Sequence, residues 1–153
     1  MKTLICVYSY HHKNTEKIAN AIAGILDATV KSPQDLTPAD TTGYDLVGFG
    51  AGIDSGKHYK PLLQFADSLP VVNGQKVFIF STAGITSEKK VAKDHRTLRD
   101  ILSGKGYTVV GELGCKGFNT NSVLKLFGGM NKNSPNADDI KAAEAFANTL
   151  KAE

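Results

Sequence analysis

The feature that most constrains the fold is a set of nearly continuous apolar runs, rich in β-branched and aromatic residues. Strands with one face in water alternate apolar and polar side chains, whereas continuous runs indicate strands that are buried on both faces. The predicted strands are four such runs and one shorter segment: Thr3–Ser9, Asp27–Lys31, Tyr44–Gly52, Lys76–Gly84 and Tyr107–Cys115. Strands of this kind are typical of a parallel sheet that helices cover on both sides.

Helical periodicity separates most of these strands. Asn14 is the predicted N-cap of the first helix, and Pro135 suits the first turn of the last one. The predicted helix faces are Ile18, Ile22, Ile25 and Leu26, then Leu62, Phe65, Ala66 and Leu69, then Val91, His95, Leu98 and Leu102, then Ile140, Ala143, Phe146, Ala147 and Leu150. The pattern does not decide whether Ser32–Gly43 holds a short helix. We predict one α/β domain over residues 1–153, a doubly wound five-stranded parallel sheet with helices on both faces.

Composition and charge argue against several classes of protein. The 18 lysine and arginine residues outweigh 15 acidic ones, giving a net charge of +3, but they are spread along the chain and form no nucleic-acid stripe. No run approaches the ~20 apolar residues of a membrane span, and no targeting segment is visible, so we expect a cytoplasmic protein. Cys6 and Cys115 are expected to be structural. The adjacent His11 and His12 lack metal-ligand spacing, so no metal is predicted.

Three segments leave the carboxyl ends of predicted strands, which is where ligands bind in doubly wound sheets. They are Ser9–Thr15, Ala51–Tyr59 and Ser81–Ser87, all rich in small or hydroxyl residues that let backbone approach a ligand closely. The first segment runs into a helix N-terminus, which favours anions. Both a phosphate site and simple helix capping by Asn14 and Thr15 fit this segment.

The order of the elements and these three segments resemble the flavodoxin family, small FMN-binding electron carriers, over nearly the whole chain. The segment "NTEKIA" is similar to the end of that family's phosphate loop. The resemblance implies a flavodoxin-like fold and contacts from Asn14 and Thr15 to the FMN phosphate. Two positions depart from the family pattern, because His12 stands where a hydroxyl residue is usual and Lys13 where glycine is usual. Ser9 would supply the missing hydroxyl if the turn is one residue longer.

The resemblance also implies which residues surround the flavin ring. The segment "AGIDSGKHY" matches the family's flexible peptide beside the ring, and "STAG" matches the segment that lines the pyrimidine side with backbone N–H groups. Tyr59 is the first candidate for stacking on the ring, although it also fits the first turn of a helix; His58 and Phe118 are the alternatives. The other ring-side residues implied are Ala51, Gly52, Ile53, Asp54, Ser55, Gly56, Ser81, Thr82, Ala83 and Gly84.

Two functions fit this resemblance. One is a low-potential FMN electron carrier; the other is a flavodoxin-like FMN enzyme, such as an NAD(P)H:quinone reductase or a protoporphyrinogen-oxidase-type dehydrogenase. Size favours the carrier, since only residues 116–136 remain as an extra segment, and no catalytic residue is predicted. A receiver domain is excluded because the strand ending at Gly52 lacks the phosphoacceptor aspartate, and no GxGxxG follows the first strand.

The sequence pI near 8.8 bears on the partner. Members of the flavodoxin family are typically acidic, which guides them to basic partners. The basic balance of this chain therefore predicts either an acidic redox partner protein or weaker electrostatic steering of the partner. We expect the protein itself to be a monomer.

Overall fold

The structure is a computed structural model that describes residues 1–9, 13–84, 87–116 and 137–152. Two short 3₁₀ turns, Pro33–Asp35 and Pro38–Thr41, occupy the segment that the pattern left undecided. The other elements, in chain order, are β1 (Thr3–Tyr8), α1 (Asn14–Leu26), β2 (Thr29–Lys31), β3 (Leu46–Asp54), β4 (Lys57–His58), α2 (Lys60–Asp67), β5 (Lys76–Ala83), α3 (Glu88–Asp94), α4 (Arg96–Gly104), β6 (Thr108–Lys116) and α5 (Ala137–Lys151).

Five strands form a parallel sheet in the order β2-β1-β3-β5-β6. The chain moves outward from β1 to β2 and then returns past β1 to β3, so the strand order reverses between β1 and β3. A reversal of this kind opens a crevice at the carboxyl ends of the two strands. The doubly wound parallel sheet predicted from the apolar runs is confirmed. The predicted strand count is one short, because β4 adds a two-residue antiparallel strand beside the end of β3.

Each face of the sheet carries its own apolar layer. On one face α1 and α5 pack over Phe78 and Phe80, and on the other α2 and α4 pack over Phe49 and Ile79. Gly48 and Gly50 make room for the first pair of rings, since a Cβ at either glycine would lie 2.2 Å from a phenylalanine ring atom. The two glycines in this buried strand therefore serve close packing.

Two helix predictions need correction. Asn14 is not an N-cap, because α1 begins at Asn14 and the residue before it, Lys13, adopts the left-handed conformation. The helical face from Val91 to Leu102 belongs to two helices, α3 and α4, which meet at His95. The predicted helix start at Pro135 lies outside the described residues, as does Phe118. Within the described ranges, no helix is both long enough and apolar enough to cross a membrane.

Candidate functional site

The first strand end leads into the N-terminus of α1. Lys13 precedes the helix with φ 53° and ψ 34°, and its side chain makes no capping hydrogen bond. The first helical hydrogen bond at this end runs from Lys17 N to Lys13 O. The earlier N–H groups therefore point out of the helix end, where they and the helix dipole favour an anion.

Side chains around this helix end are buried and only partly bonded. Asn14 and Thr15 are 8% and 2% exposed, although both belong to the first turn of the helix. Ser9 Oγ and Asn14 Oδ1 are buried and have no hydrogen-bond partner among the described residues. Rotation of the Asn14 amide by 180° would present its N–H₂ group at the same position. The cluster thus offers a hydroxyl, an amide and backbone N–H groups to a ligand. His12 lies outside the described residues.

The second segment was predicted as a loop and is instead the end of a strand followed by a hairpin. Residues Ala51–Asp54 continue β3, and Asp54 pairs with Lys57 of β4. The two residues between them, Ser55 and Gly56, both have positive φ, of 55° and 80°. Positive φ at both central residues is the hallmark of a type I′ turn, which suits the twist of a hairpin. The tip of this hairpin, Asp54–Lys57, is exposed at the edge of the crevice.

Tyr59 packs against strand ends beside the crevice. A Cβ at Gly52 would lie 2.8 Å from a ring carbon of Tyr59, so the ring rests directly on that glycine. The ring of Tyr8 also meets it, edge to face, at a centroid distance of 6.0 Å. Tyr59 immediately precedes α2, which begins at Lys60, and is half-buried. The structure thus places Tyr59 at the end of β1 and β3, where the strand order reverses.

His58 does not have the position that stacking on a ligand would require. It is 1% exposed, and its Nε2 lies 3.0 Å from the carbonyl oxygen of Phe80. The ring is therefore enclosed between the end of β5 and His95, where α3 and α4 meet. The alternative prediction that His58 stacks from the second segment is wrong.

The third segment begins as the end of β5, where successive side chains point to opposite faces of the sheet. Thr82 Oγ1 lies 2.7 Å from Thr15 Oγ1, which joins this segment directly to the first turn of α1. Ser81 Oγ points the other way and lies 2.7 Å from Nε2 of His95. Ala83 and Gly84 follow at the rim and are half-buried.

The register of the sheet places the three segments side by side. Tyr8 is the partner of Ala51, and Ala51 is the partner of Ser81. The first, second and third segments therefore start within one residue of the same height on three adjacent strands, β1, β3 and β5. This arrangement gathers most of the predicted site residues around one crevice.

A buried polar network was not predicted. His95 is fully buried and its Nδ1 lies 2.9 Å from Oε1 of Glu112, while Arg99 donates to both oxygens of the same carboxylate at 2.8 Å. Burial alone would raise the pKa of Glu112, but the hydrogen bonds from His95 and Arg99 lower it to about 2. Burial, and next the neighbouring His95, lower the pKa of His58 to about 3. The sequence signal that could have predicted this network is the glutamate inside the apolar run "YTVVGELGC", since a buried charge needs a partner.

The two cysteines, Cys6 and Cys115, lie in the interior of the protein. Burial raises the pKa of Cys6 to about 12, and burial followed by Asp139 does the same for Cys115. Both thiols are buried and free, as the structural interpretation of these cysteines predicts. Within the described part of the chain, no group of three or more His, Cys, Asp or Glu residues could hold a metal ion.

Comparison with known proteins agrees with this geometry. A protein of Methanocaldococcus jannaschii described as uncharacterized is 49% identical over 150 residues, which cover 98% of each chain. A short-chain flavodoxin associated with a bacterial microcompartment is 19% identical with a TM-score of 0.73, covering 99% of this chain and 98% of that one. A flavodoxin of Streptococcus pneumoniae is 18% identical with a TM-score of 0.70, covering 98% of both chains. The family model described as "Flavodoxin domain" matches residues 5–151. The chain therefore belongs to the flavodoxin-domain family.

Proposed function

We propose that this protein binds FMN in the crevice at the carboxyl ends of β1, β3 and β5 and acts as a low-potential electron-transfer carrier. The observation that carries the proposal is the convergence of the three segments at the carboxyl side of adjacent strands, with a helix N-terminus at one side and an exposed hairpin tip at the other. Bound FMN would supply one- and two-electron redox chemistry. The residues of this chain would bind it, orient it and limit the access of water.

The phosphate end of FMN fits the N-terminus of α1. Ser9 Oγ is a buried hydroxyl without a partner among the described residues, and Asn14 Oδ1 is in the same condition, so a rotated amide would present its N–H₂ group there. Thr15 is held by Thr82, so its hydroxyl is fixed in position before a ligand arrives. The exposed ammonium of Lys13 adds positive charge next to the helix end. A dianionic phosphate satisfies all of these groups together.

The ring end of FMN fits between the hairpin and the end of β5. Ser55 and Gly56 form the tip of the hairpin, and Ala83 and Gly84 form the opposite rim. Backbone N–H groups at such a rim favour negative charge on a reduced ring. Tyr59, resting on Gly52, is the aromatic residue among the described ones that best borders the ring.

The partner we propose is an acidic redox protein. Around the crevice, five exposed lysines lie on the segment before α1, on the hairpin, at the start of α2 and on α3: Lys13, Lys57, Lys60, Lys89 and Lys93. The exposed acidic residues on these same elements are Asp54, Glu88 and Asp67, and Asp67 is the last residue of α2. A positive rim steers an acidic partner toward the edge of a bound flavin, and added salt should slow that encounter. A rate of electron transfer that does not change between low and high salt would contradict this partner class.

The test of the proposed function is titration of the protein, freed of any flavin, with FMN, followed by the quenching of flavin fluorescence. We expect saturable binding and a visible flavin spectrum in the complex. The variant Thr15→Val should weaken binding roughly 10- to 100-fold, which corresponds to one lost hydrogen bond to a charged group. Thr149→Val, at an exposed position near the end of α5, makes the same chemical change away from the crevice and should bind like the wild type.

Two results would contradict the proposed function as an electron carrier. A protein that neither retains FMN nor binds added FMN refutes it. Fast oxidation of NAD(P)H with quinone turnover would instead support the flavodoxin-like enzyme. A carrier should be reduced by dithionite and reoxidised by one-electron acceptors, without such turnover.

A further inference from the structure

A buried chain of hydrogen bonds runs from the end of β5 to the protein surface. Ser81 Oγ lies 2.7 Å from His95 Nε2, and His95 Nδ1 lies 2.9 Å from Glu112 Oε1. Ser81 and His95 are 3% and 0% exposed, whereas the side chain of Glu112 is 25% exposed. Glu112 and Arg99 border a pocket of about 520 Å³ that reaches solvent. The hydrogen-bond chain thus connects Ser81, behind the crevice rim, with water in the pocket between α3 and β6.

An irregularity in the sheet creates this arrangement. Val77 pairs with Val109, but Phe78 pairs with Gly111, so one extra residue, Val110, is inserted in β6. Without this bulge, the alternation of side chains would turn Glu112 toward the opposite face of the sheet. With it, Glu112 is the register partner of Ile79 and faces His95 and Arg99. The bulge therefore places the carboxylate where the imidazole can reach it.

The donor and acceptor roles of Ser81, His95 and Glu112 determine where most of their hydrogens lie. Glu112 is ionised and only accepts, so His95 Nδ1 must carry a hydrogen that it donates to Oε1. A neutral His95 ring then accepts at Nε2 from the Ser81 hydroxyl. If Nε2 gains a proton, it donates to Ser81 Oγ, which then accepts the hydrogen bond instead of donating it. His95 can therefore take up one proton while both of its hydrogen bonds persist.

The charged groups around His95 are nearly balanced. Glu112 of β6 is paired with Arg99 of α4, and Asp94 of α3 is paired with Lys90. From β4, His58 approaches with a ring centroid distance of 4.9 Å, and it is neutral because burial, and next His95 itself, lower its pKa to about 3. An additional negative charge in the crevice would therefore shift the balance toward the imidazolium form of His95.

We propose that His95 is a redox-linked protonation site, which binds one proton from water when the flavin in the crevice accepts electrons. The proposal rests on the proposed function. An external one-electron reductant supplies the electrons, and dithionite takes this part in the test. Water supplies the proton, which forms the N–H bond at Nε2 and leaves a hydroxide ion that the solvent buffer neutralises, and the bond from Nδ1–H to Glu112 persists. No proton leaves the network, so the reduced protein carries one more proton than its oxidised form.

The test is ¹⁵N NMR of the histidine rings in the FMN-loaded protein, in oxidised and dithionite-reduced samples between pH 5.5 and 9. We expect the proton affinity of His95 to rise roughly tenfold on reduction, seen as a change of its ring nitrogens from the neutral Nδ1–H form to imidazolium. Identical titration of His95 in the two redox forms would overturn the inference. Failure of FMN to bind would instead refute the proposed function, so the two failures are distinguishable.

Two variants distinguish a role of His95 in proton binding from a role in packing alone. Glu112→Gln keeps the size of the side chain but removes the charge that favours imidazolium, so the redox-linked change should largely disappear. Asp100→Asn removes the same charge from an exposed position of α4 and should leave the change intact. An undiminished change in Glu112→Gln would contradict the mechanism. If Glu112→Gln does not fold, the wild-type titration still decides the proposal.

Discussion

We predict that replacing His58 with glutamine will flatten the acid side of the stability curve of this protein. The His58 ring is buried, and since the carbonyl of Phe80 only accepts, Nε2 must carry the hydrogen of their 3.0 Å bond. The other ring nitrogen, Nδ1, has no partner among the described residues. A proton added at Nδ1 would therefore create a buried charge next to His95 without a hydrogen-bond acceptor.

The expected loss of stability at acid pH follows from the pKa of His58. Burial, and next the neighbouring His95, lower that pKa to about 3, whereas histidine in an unfolded chain titrates near 6.5. Between these pH values the unfolded state binds a proton that the folded state does not. The stability contributed by neutral His58 is thus present above pH 6.5 or so and is lost as the pH falls toward 3. The slope is ~1.4 kcal/mol per pH unit, so about 2.5 kcal/mol is lost between pH 7 and 4.5.

The measurement is urea unfolding followed by circular dichroism, without added ligand, at several pH values from 7 to 4.5. The His58→Gln side chain can donate an amide N–H to Phe80 but does not titrate. Only the change with pH is compared, so a constant loss of stability in the variant does not affect the result. Glu112 should not interfere. Burial raises its pKa, but the hydrogen bonds from His95 and Arg99 outweigh burial and lower the pKa to about 2. The stability that the ionised carboxylate contributes to the protein is therefore lost only below about pH 4.5. Parallel pH dependences for the two proteins would refute the reasoning from burial.

Three further substitutions test the backbone, each by urea unfolding. Gly24→Ala in α1 should stabilise the protein by about 1 kcal/mol, because the new methyl group meets open space; an unchanged midpoint would contradict this. Gly106→Ala should destabilise it severely, since φ is +92° and the Cβ would lie 1.9 Å from Val72 O; near-native stability would disprove the geometry. Ser55→Asn should stabilise the hairpin by at most about 1 kcal/mol, because asparagine tolerates positive φ better; a loss of stability would argue against the type I′ turn.

The sequence is sufficient to predict the sheet because its signal is local. Segments such as Lys76–Gly84 are short, rich in β-branched and aromatic residues and apolar on both faces, which is typical of a strand covered on both sides. The convergence of the three segments follows from parallel strands, whose carboxyl ends share one edge. The hairpin at Asp54–Lys57 was missed, although Ser-Gly is a turn signal. Gly52 was interpreted as the end of the strand, whereas β3 continues through it to Asp54 and Gly52 makes room for the ring of Tyr59.

The buried network could not be predicted from the spacing of its members. His95 and Glu112 are 17 positions apart, and they meet only because the bulge at Val110 turns Glu112 toward α4. A β-bulge depends on strand pairing, which periodicity within one strand does not report. The position of His95 on an apolar helix face correctly indicated a satisfied packing residue. Its partners are determined by the tertiary structure.

Lys13 shows how a departure from the family pattern can be compatible with the same site. The residue before α1 adopts φ 53°, a conformation that glycine enters freely and that costs other residues ~1 kcal/mol or more. This explains why glycine is usual at the position. The lysine also places a cation at the positive end of the helix dipole, which is unfavourable in the absence of an anion. A bound phosphate would remove this unfavourable interaction, because the ammonium and the helix N-terminus would then both be attracted to the same dianion. The lysine is therefore better suited to the loaded state of the site than to the empty one, and its contribution to stability should depend on phosphate in a way that a glycine's would not.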